Sequence, residues 1–227
     1  MKFLVLGKDY LSISIAKGII DSGHELNLIV SMSPQLSPDN SIDMDSFCLK
    51  NDVPYLETDD INSDNLIKEL KNKKPDYIFS TWPKIIKKNV LDIPKYILVG
   101  THPTLLPMNR GRHPVHWMIV LGIKNSSLSF FAMDEGIDSG KILLQIPFPV
   151  GDRTINQINS EMDYCGYEGT KKLIYIFEKN KKYTGYEQLS NFQNYWRKRN
   201  EHDITLDPRM SLEMFTRIAS SFTHPYP

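Results

Sequence analysis

The sequence predicts an α/β fold, an open, twisted, mostly parallel sheet flanked by helices. Three observations carry this. Residues 2–7 (KFLVLG) are a short apolar run ended by glycine, the mark of a strand buried on both faces. From Ser12 to Ser22 the apolar residues Ile13, Ile15, Ala16, Ile19 and Ile20 fall mostly at helical spacing, with Gly23 as the stop. Residues 25–31 (ELNLIVS) then read as a second strand, so the chain opens strand–helix–strand, a unit whose crossover is right-handed. The architecture is Rossmann-like.

The remaining elements follow in order. Residues 33–41, rich in Pro, Ser, Asn and Asp, form a loop, and helices are expected near 43–51 and 62–73. Lys71, Lys73 and Lys74 read as the solvated end of the second of these. Strands are expected at 76–82 and 96–102, a helix at 113–122, strands at 127–134 and 141–149, and a long helix at about 154–179. This gives a domain over 1–182 and a C-terminal extension over 183–227, polar and aromatic, forming a hairpin or a short helical appendage.

Composition narrows the function classes. Apolar residues at 41% and charged residues at 24% are ordinary for a globular chain. Lys plus Arg and Asp plus Glu both number 27, without the basic surplus that phosphate-backbone binding favours, so no nucleic-acid partner is expected. Cys48 and Cys165 have no metal-ligand spacing and are too few for a disulfide framework, which suits a cytoplasmic protein. The N-terminal apolar run is too short for a signal-peptide core or a membrane span, so no membrane partner is expected. Gly7-Lys8-Asp9-Tyr10 lacks the second glycine that lets a backbone approach a pyrophosphate, which argues against a dinucleotide site.

Two segments carry chemistry. The first runs His102-Pro103-Thr104-Leu105-Leu106-Pro107-Met108-Asn109-Arg110-Gly111-Arg112-His113-Pro114 and places a histidine at the carboxyl end of a predicted buried strand, where open α/β sheets bind ligands. Arg110 and Arg112 close behind are fixed cations suited to phosphate or carboxylate. The second, Asp134-Glu135-Gly136-Ile137-Asp138-Ser139-Gly140, is an acidic, glycine-bearing turn between two predicted strands. Taken singly, a histidine after a strand is commonly a structural hydrogen-bonder and an Asp-Gly turn a simple connection. The other histidines, His113 and His116 included, lack further ligands for zinc, and no metal is expected.

Together the segments resemble something specific. HPTLLPMNRG, followed 36 residues after its histidine by Asp138 of DEGIDSG, resembles the signature of the folate-dependent formyltransferases. That family includes the glycinamide ribonucleotide, methionyl-tRNA and sugar N-formyltransferases. Trp196-Arg197-Lys198-Arg199 followed by Asp203-Ile204 is similar to the stretch after their catalytic domain, and Arg217-Ile218-Ala219 to Pro225-Tyr226-Pro227 to their "RA…PYPGA" segment. Relatives run on past this point, so a trimmed chain lacking further C-terminal elements is expected.

The resemblance implies N10-formyltetrahydrofolate as formyl donor and an Asn, His and Asp constellation. His102 matches as the base and Asp138 as the residue that orients it. The Asn position holds Gly100, a departure from the pattern, and Thr101, Asn109 or a backbone N–H at Gly100 are the groups that could replace its amide. The pterin is expected near Asp134, Gly136, Ile137 and Gly140 and the strand around Ser80–Pro83, with Trp82 packing there. Arg110 and Arg112 are expected to face phosphates or the folate tail, Lys84 a phosphate, and Trp196, with Tyr195, a nucleotide base. The acceptor the resemblance favours is a nucleotide-linked amino sugar. It leaves open a methionyl-tRNA formyltransferase-like enzyme, a hydrolase passing formyl to water, and a non-catalytic binder of folate or nucleotide sugar. It also allows a homodimer.

Overall fold

The computed structural model describes residues 1–37 and 41–223. The Pro225–Pro227 tail and part of the 33–41 loop lie outside the described residues. In chain order the elements are β1 (Lys2–Leu6), α1 (Tyr10–Asp21), β2 (Glu25–Met32), α2 (Asp45–Asn51), β3 (Tyr55–Thr58), α3 (Asp64–Asn72), β4 (Tyr77–Ser80), α4 (Lys88–Leu91), β5 (Ile97–His102), β6 (Arg110–Gly111), α5 (Pro114–Val120), β7 (Asn125–Ala132), β8 (Ile142–Pro149), α6 (Ile155–Lys179), β9 (Tyr195–Trp196) and α7 (Leu212–Ser221).

Seven strands form one sheet in the order β3-β2-β1-β4-β5-β7-β8. Pairing is parallel from β3 through β5 and antiparallel from β5 to β7 and β7 to β8. The strand order reverses direction between β1 and β4, the switch point at which ligands bind in open sheets. The predicted mostly parallel α/β sheet is therefore the fold.

The apolar run of β1 explains itself in the packing. Phe3 and Val5 enter a core with α1 and α6, while Leu4 and Leu6 enter a second core with α3 on the other face. A strand covered on both sides needs apolar residues at every position. Asp9 caps α1 by accepting from the Ser12 backbone N–H, and Thr154 caps α6 through a reciprocal pair with Gln157. At the far end of α6, Phe177 stacks on Tyr77 of β4 with ring centroids 4.2 Å apart and planes 8° apart.

The structure differs from the expected elements in four places. β3 was not anticipated, because Tyr55-Leu56-Glu57-Thr58 is short, half-exposed and without a buried face. α4, a single turn, was also missed. β7 begins at Asn125, ahead of the expected 127, because its polar start pairs with Phe148 and Pro149 of β8. Among the described residues the tail makes no hairpin of its own. β9 pairs parallel with the distant β6, and α7 is the short helix.

Candidate active site

His102 ends β5 and is 5% exposed. Its Nε2 lies 2.9 Å from the carbonyl oxygen of Asn109. A carbonyl only accepts, so Nε2 carries hydrogen and Nδ1 is the nitrogen that gains or loses a proton. Nδ1 lies 3.4 Å from Asp138 Oδ2, and that same oxygen accepts the Gly111 backbone N–H at 2.9 Å. The two residues singled out from the sequence therefore meet, with the loop 109–111 holding both.

The loop is tied down from several sides. The Ser129 hydroxyl donates to the Thr104 carbonyl, and Gln145 Nε2 donates to the Leu106 carbonyl at 3.1 Å and to Ser129 Oγ at 2.8 Å. Gly111, at φ +105°, lets the backbone of β9 come close: a Cβ there would lie 2.3 Å from the Trp196 carbonyl oxygen. Gly140 closes the Asp138 loop in the same way, with the Ala132 carbonyl where a Cβ would stand.

A cavity of about 230 Å³ opens at the switch point, walled by Asp9, Thr81, Trp82, Gly100, Thr101 and Asp138 among others. Asp138 is on that wall and His102 is not, and their side chains are 19% and 6% exposed respectively. The carboxylate thus faces the cavity and the imidazole stands behind it.

The Gly100 departure has a packing basis. A Cβ at this position would lie 2.7 Å from Met133 Cγ and 2.8 Å from Phe131 Cζ, so these side chains fill the space an asparagine needs. Gly100→Asn by itself is expected to cost about 1–3 kcal/mol through overpacking. Adding Met133→Ala should recover much of the loss. Denaturant melts decide this, and wild-type stability for the single variant would contradict it. Among the replacement groups, Asn109 is committed elsewhere, because it exchanges hydrogen bonds with Asn194. Thr101 is on the cavity wall.

The α1 side of the cavity is acidic. Burial raises the Asp9 carboxyl against the lowering effect of its hydrogen bonds from Ser12 and Thr81. Asp163 of α6 is pushed up to about 7 by burial and by the charge of Asp9. A carboxyl held neutral in the fold stabilises it below the ordinary aspartate range, and that contribution is lost as pH rises through about 7. Asp163→Asn should therefore raise the melting temperature more at pH 8 than at pH 5. An equal shift at both values would remove the titration as the cause.

The other predicted residues are placed as follows. Trp82 is buried with its indole Nε1 lacking a partner among the described residues, and it borders the cavity. Asp134 shapes its own loop, accepting from the Gly136 N–H at 3.0 Å and Ser139 Oγ at 2.8 Å, while Ile137 points outward. Lys84 and Arg112 are exposed, with no side-chain partner among the described residues. Arg110 corrects the expectation. It is only 4% exposed, and its guanidinium donates to Gln188, Gln193 and Tyr195 of the tail instead of facing a ligand. Trp196 packs against the main core, away from the cavity wall.

Gln188, Asn194, Ser129 and Gln145 also hold the site together, and local sequence pattern barely marks them. The one visible signal was the serine run in β7, where Ser126, Ser127 and Ser129 interrupt an apolar strand and are buried. Around His113 the structure gathers positive charge: burial lowers its imidazole, and Arg199, Arg112 and Lys198 lower it further.

The fold is an open α/β sheet with an aspartate–histidine pair at the carboxyl end of β5. Residues 23–172 match the formyl transferase family, and the chain belongs to that family. It is 26% identical over 186 residues to a methionyl-tRNA formyltransferase of Alkaliphilus oremlandii, covering 79% of this chain and 60% of that one. The chain thus spans about 60% of that relative's length. Among solved structures it resembles an N-formyltransferase from Helicobacter canadensis in complex with folinic acid and dTDP-3-aminofucose, with TM-score 0.73, 18% identity and coverage of 98% of this chain and 81% of that one. It also resembles a methionyl-tRNA formyltransferase from Clostridium thermocellum, with TM-score 0.70, 17% identity and coverage of 100% and 86%. At these identities the structural likeness concerns the fold. Among the described residues no helix is long and apolar enough to cross a membrane, and no group of three or more His, Cys, Asp or Glu could hold a metal ion.

Proposed function

We propose that this chain transfers a formyl group from N10-formyltetrahydrofolate to the amino group of a nucleotide-linked amino sugar. The observation that carries it is Asp138 on the cavity wall, backed by His102 Nδ1 at 3.4 Å. The cavity is smaller than the roughly 300 Å³ of the smallest whole-ligand pockets, so it suits the reacting end of the carrier with the rest along the surface. The unpartnered Trp82 N–H at its border fits a heteroatom-rich ring such as a pterin.

When bound, the folate carrier supplies a formyl carbon activated on nitrogen. An amine attacks only as the neutral base, and it must shed a proton as the new C–N bond forms and the bond to the carrier nitrogen breaks. Asp138 stands where that proton leaves, and His102 Nδ1, 3.4 Å from its Oδ2, is placed to share it. The proton then passes to the departing nitrogen. The Thr101 hydroxyl is the side-chain donor suited to the formyl oxygen in place of the family's amide. Holding donor and acceptor side by side supplies much of the remaining acceleration.

Arg112, Lys198 and Arg199 around His113 form a cationic surface suited to the phosphates of a nucleotide. The balance of 27 basic and 27 acidic residues favours a small acceptor over a long phosphate backbone. A second reading, formyl transfer to methionyl-tRNA, is favoured by the curated relative above.

The test is a mass-spectrometric screen of N10-formyltetrahydrofolate against nucleotide-linked 3- and 4-amino sugars and charged methionyl-tRNA. One formyl group gained by a sugar, and lost with Asp138→Asn, supports the proposal. Formylation of the tRNA alone moves the assignment to the second reading. Formate release without an acceptor indicates a hydrolase, and folate binding without turnover a binding protein.

A further inference from the structure

Asp138 and Asn109 both stand in the left-handed region, at φ +50° and +62°. L-residues adopt this backbone rarely, and it persists only where the surroundings hold it. These are the two residues that grip His102, one through its carboxylate and the other through its carbonyl. Each is braced by an amide side chain from the tail. Gln188 Nε2 donates to the Asp138 carbonyl at 2.9 Å and the Gly140 carbonyl at 2.7 Å. Asn194 Oδ1 accepts the Asn109 N–H at 2.7 Å, and its Nδ2 donates to Asn109 Oδ1 at 2.9 Å.

The brace is anchored in turn. Gln188 Oε1 accepts from Arg110 Nε at 3.1 Å and Nη2 at 2.6 Å. Arg110 Nη1 donates to Gln193 and Tyr195, and the guanidinium lies over the Tyr195 ring. Tyr186 closes the strap against Ile142 through two backbone hydrogen bonds, fixing the approach of Gln188 to the Asp138 loop. Among the described residues Arg110 has no carboxylate partner, and its guanidinium donates to Gln188, Gln193 and Tyr195 of the strap.

From these contacts we infer that Gln188, together with Asn194, is a positioning residue for the Asp138–His102 pair, so that the tail completes the active site. The inference rests on the proposed formyl transfer. Its physical basis is that small misplacements of a catalytic group are costly, about a hundredfold in rate for an ångström.

Gln188→Glu separates positioning from docking. A carboxylate keeps, and strengthens, the link to Arg110 but cannot donate to the Asp138 and Gly140 carbonyls. Three readouts apply: thermal stability, kcat and KM for the folate donor, and the pH titration of the His102 ring by ¹⁵N NMR, assigned with His102→Gln. The expected result is a melting temperature near wild type, kcat lower by about a hundredfold, KM changed by less than about threefold, and a displaced His102 titration. Wild-type kcat with an unchanged titration would overturn the inference and leave the glutamine a structural tie. Should Gln188→Glu not fold, Gln188→Met, which adds no charge but also releases Arg110 and so is expected to lower stability, is read on kcat and the His102 titration alone. Should the wild-type chain transfer formyl to no acceptor, the functional proposal fails, and the His102 titration alone decides the positioning role: displaced, it stands; unchanged, it falls.

Discussion

Replacing His102 with glutamine is expected to lower the proposed formyl transfer by about 10²- to 10⁴-fold, the range a positioned proton acceptor contributes. The glutamine amide can still donate to the Asn109 carbonyl, which now receives Nε2–H at 2.9 Å, so the loop should keep its shape. It cannot take a proton from the side that faces Asp138. Because His102 is off the cavity wall, affinity for the folate donor should change little, and the loss should fall on kcat. Single-turnover rates together with donor binding check this. A rate within about threefold of wild type would remove His102 from the proton path and leave Asp138 acting without it.

The second large effect is on stability. Phe177→Ala is expected to destabilise the fold by about 3–5 kcal/mol, the usual range for a buried phenylalanine. Phe177 is fully buried and stacks on Tyr77, which in turn stacks on Phe3 and Tyr96. Truncation would open a cavity where α6 meets β1 and β4, and the surrounding rings are too rigid to collapse into it. For a chain of this size the melting temperature should fall by on the order of 6–20 °C. In denaturant the midpoint should fall with the slope unchanged, which separates lost packing from a changed unfolded state. The effect reaches the site as well. Tyr77 donates its hydroxyl to the Lys181 carbonyl at 3.0 Å, at the point where the chain leaves α6 for the strap that carries Gln188.

Much of this was legible from local pattern. β1, β4, β5 and β8 announce themselves as apolar runs, and α1 and α6 by helical spacing with capping residues. His102 and Asp138 stood out because each ends or links predicted strands within a recognisable segment. Elements defined only by a partner were illegible. β3 is an edge strand with one neighbour, and β6 and β9 are two residues each, existing because Arg110 pairs with Tyr195 across 85 positions. Arg110 read as a surface cation because nothing local shows that Gln188, Gln193 and Tyr195 bury it. Gln188 and Asn194 read as ordinary polar tail for the same reason.

The sequence by itself determined the α/β class, the two-sided burial of its strands and the family, since periodicity and contiguous motifs are properties of neighbouring residues. Only the tertiary structure decided which group faces the cavity, why an asparagine is excluded at Gly100, and that Gln188 and Asn194 of the tail bind the two residues in contact with His102. Those outcomes depend on hydrogen bonds and packing between residues far apart in the chain, whose geometry is set only when the strands and the tail have come together.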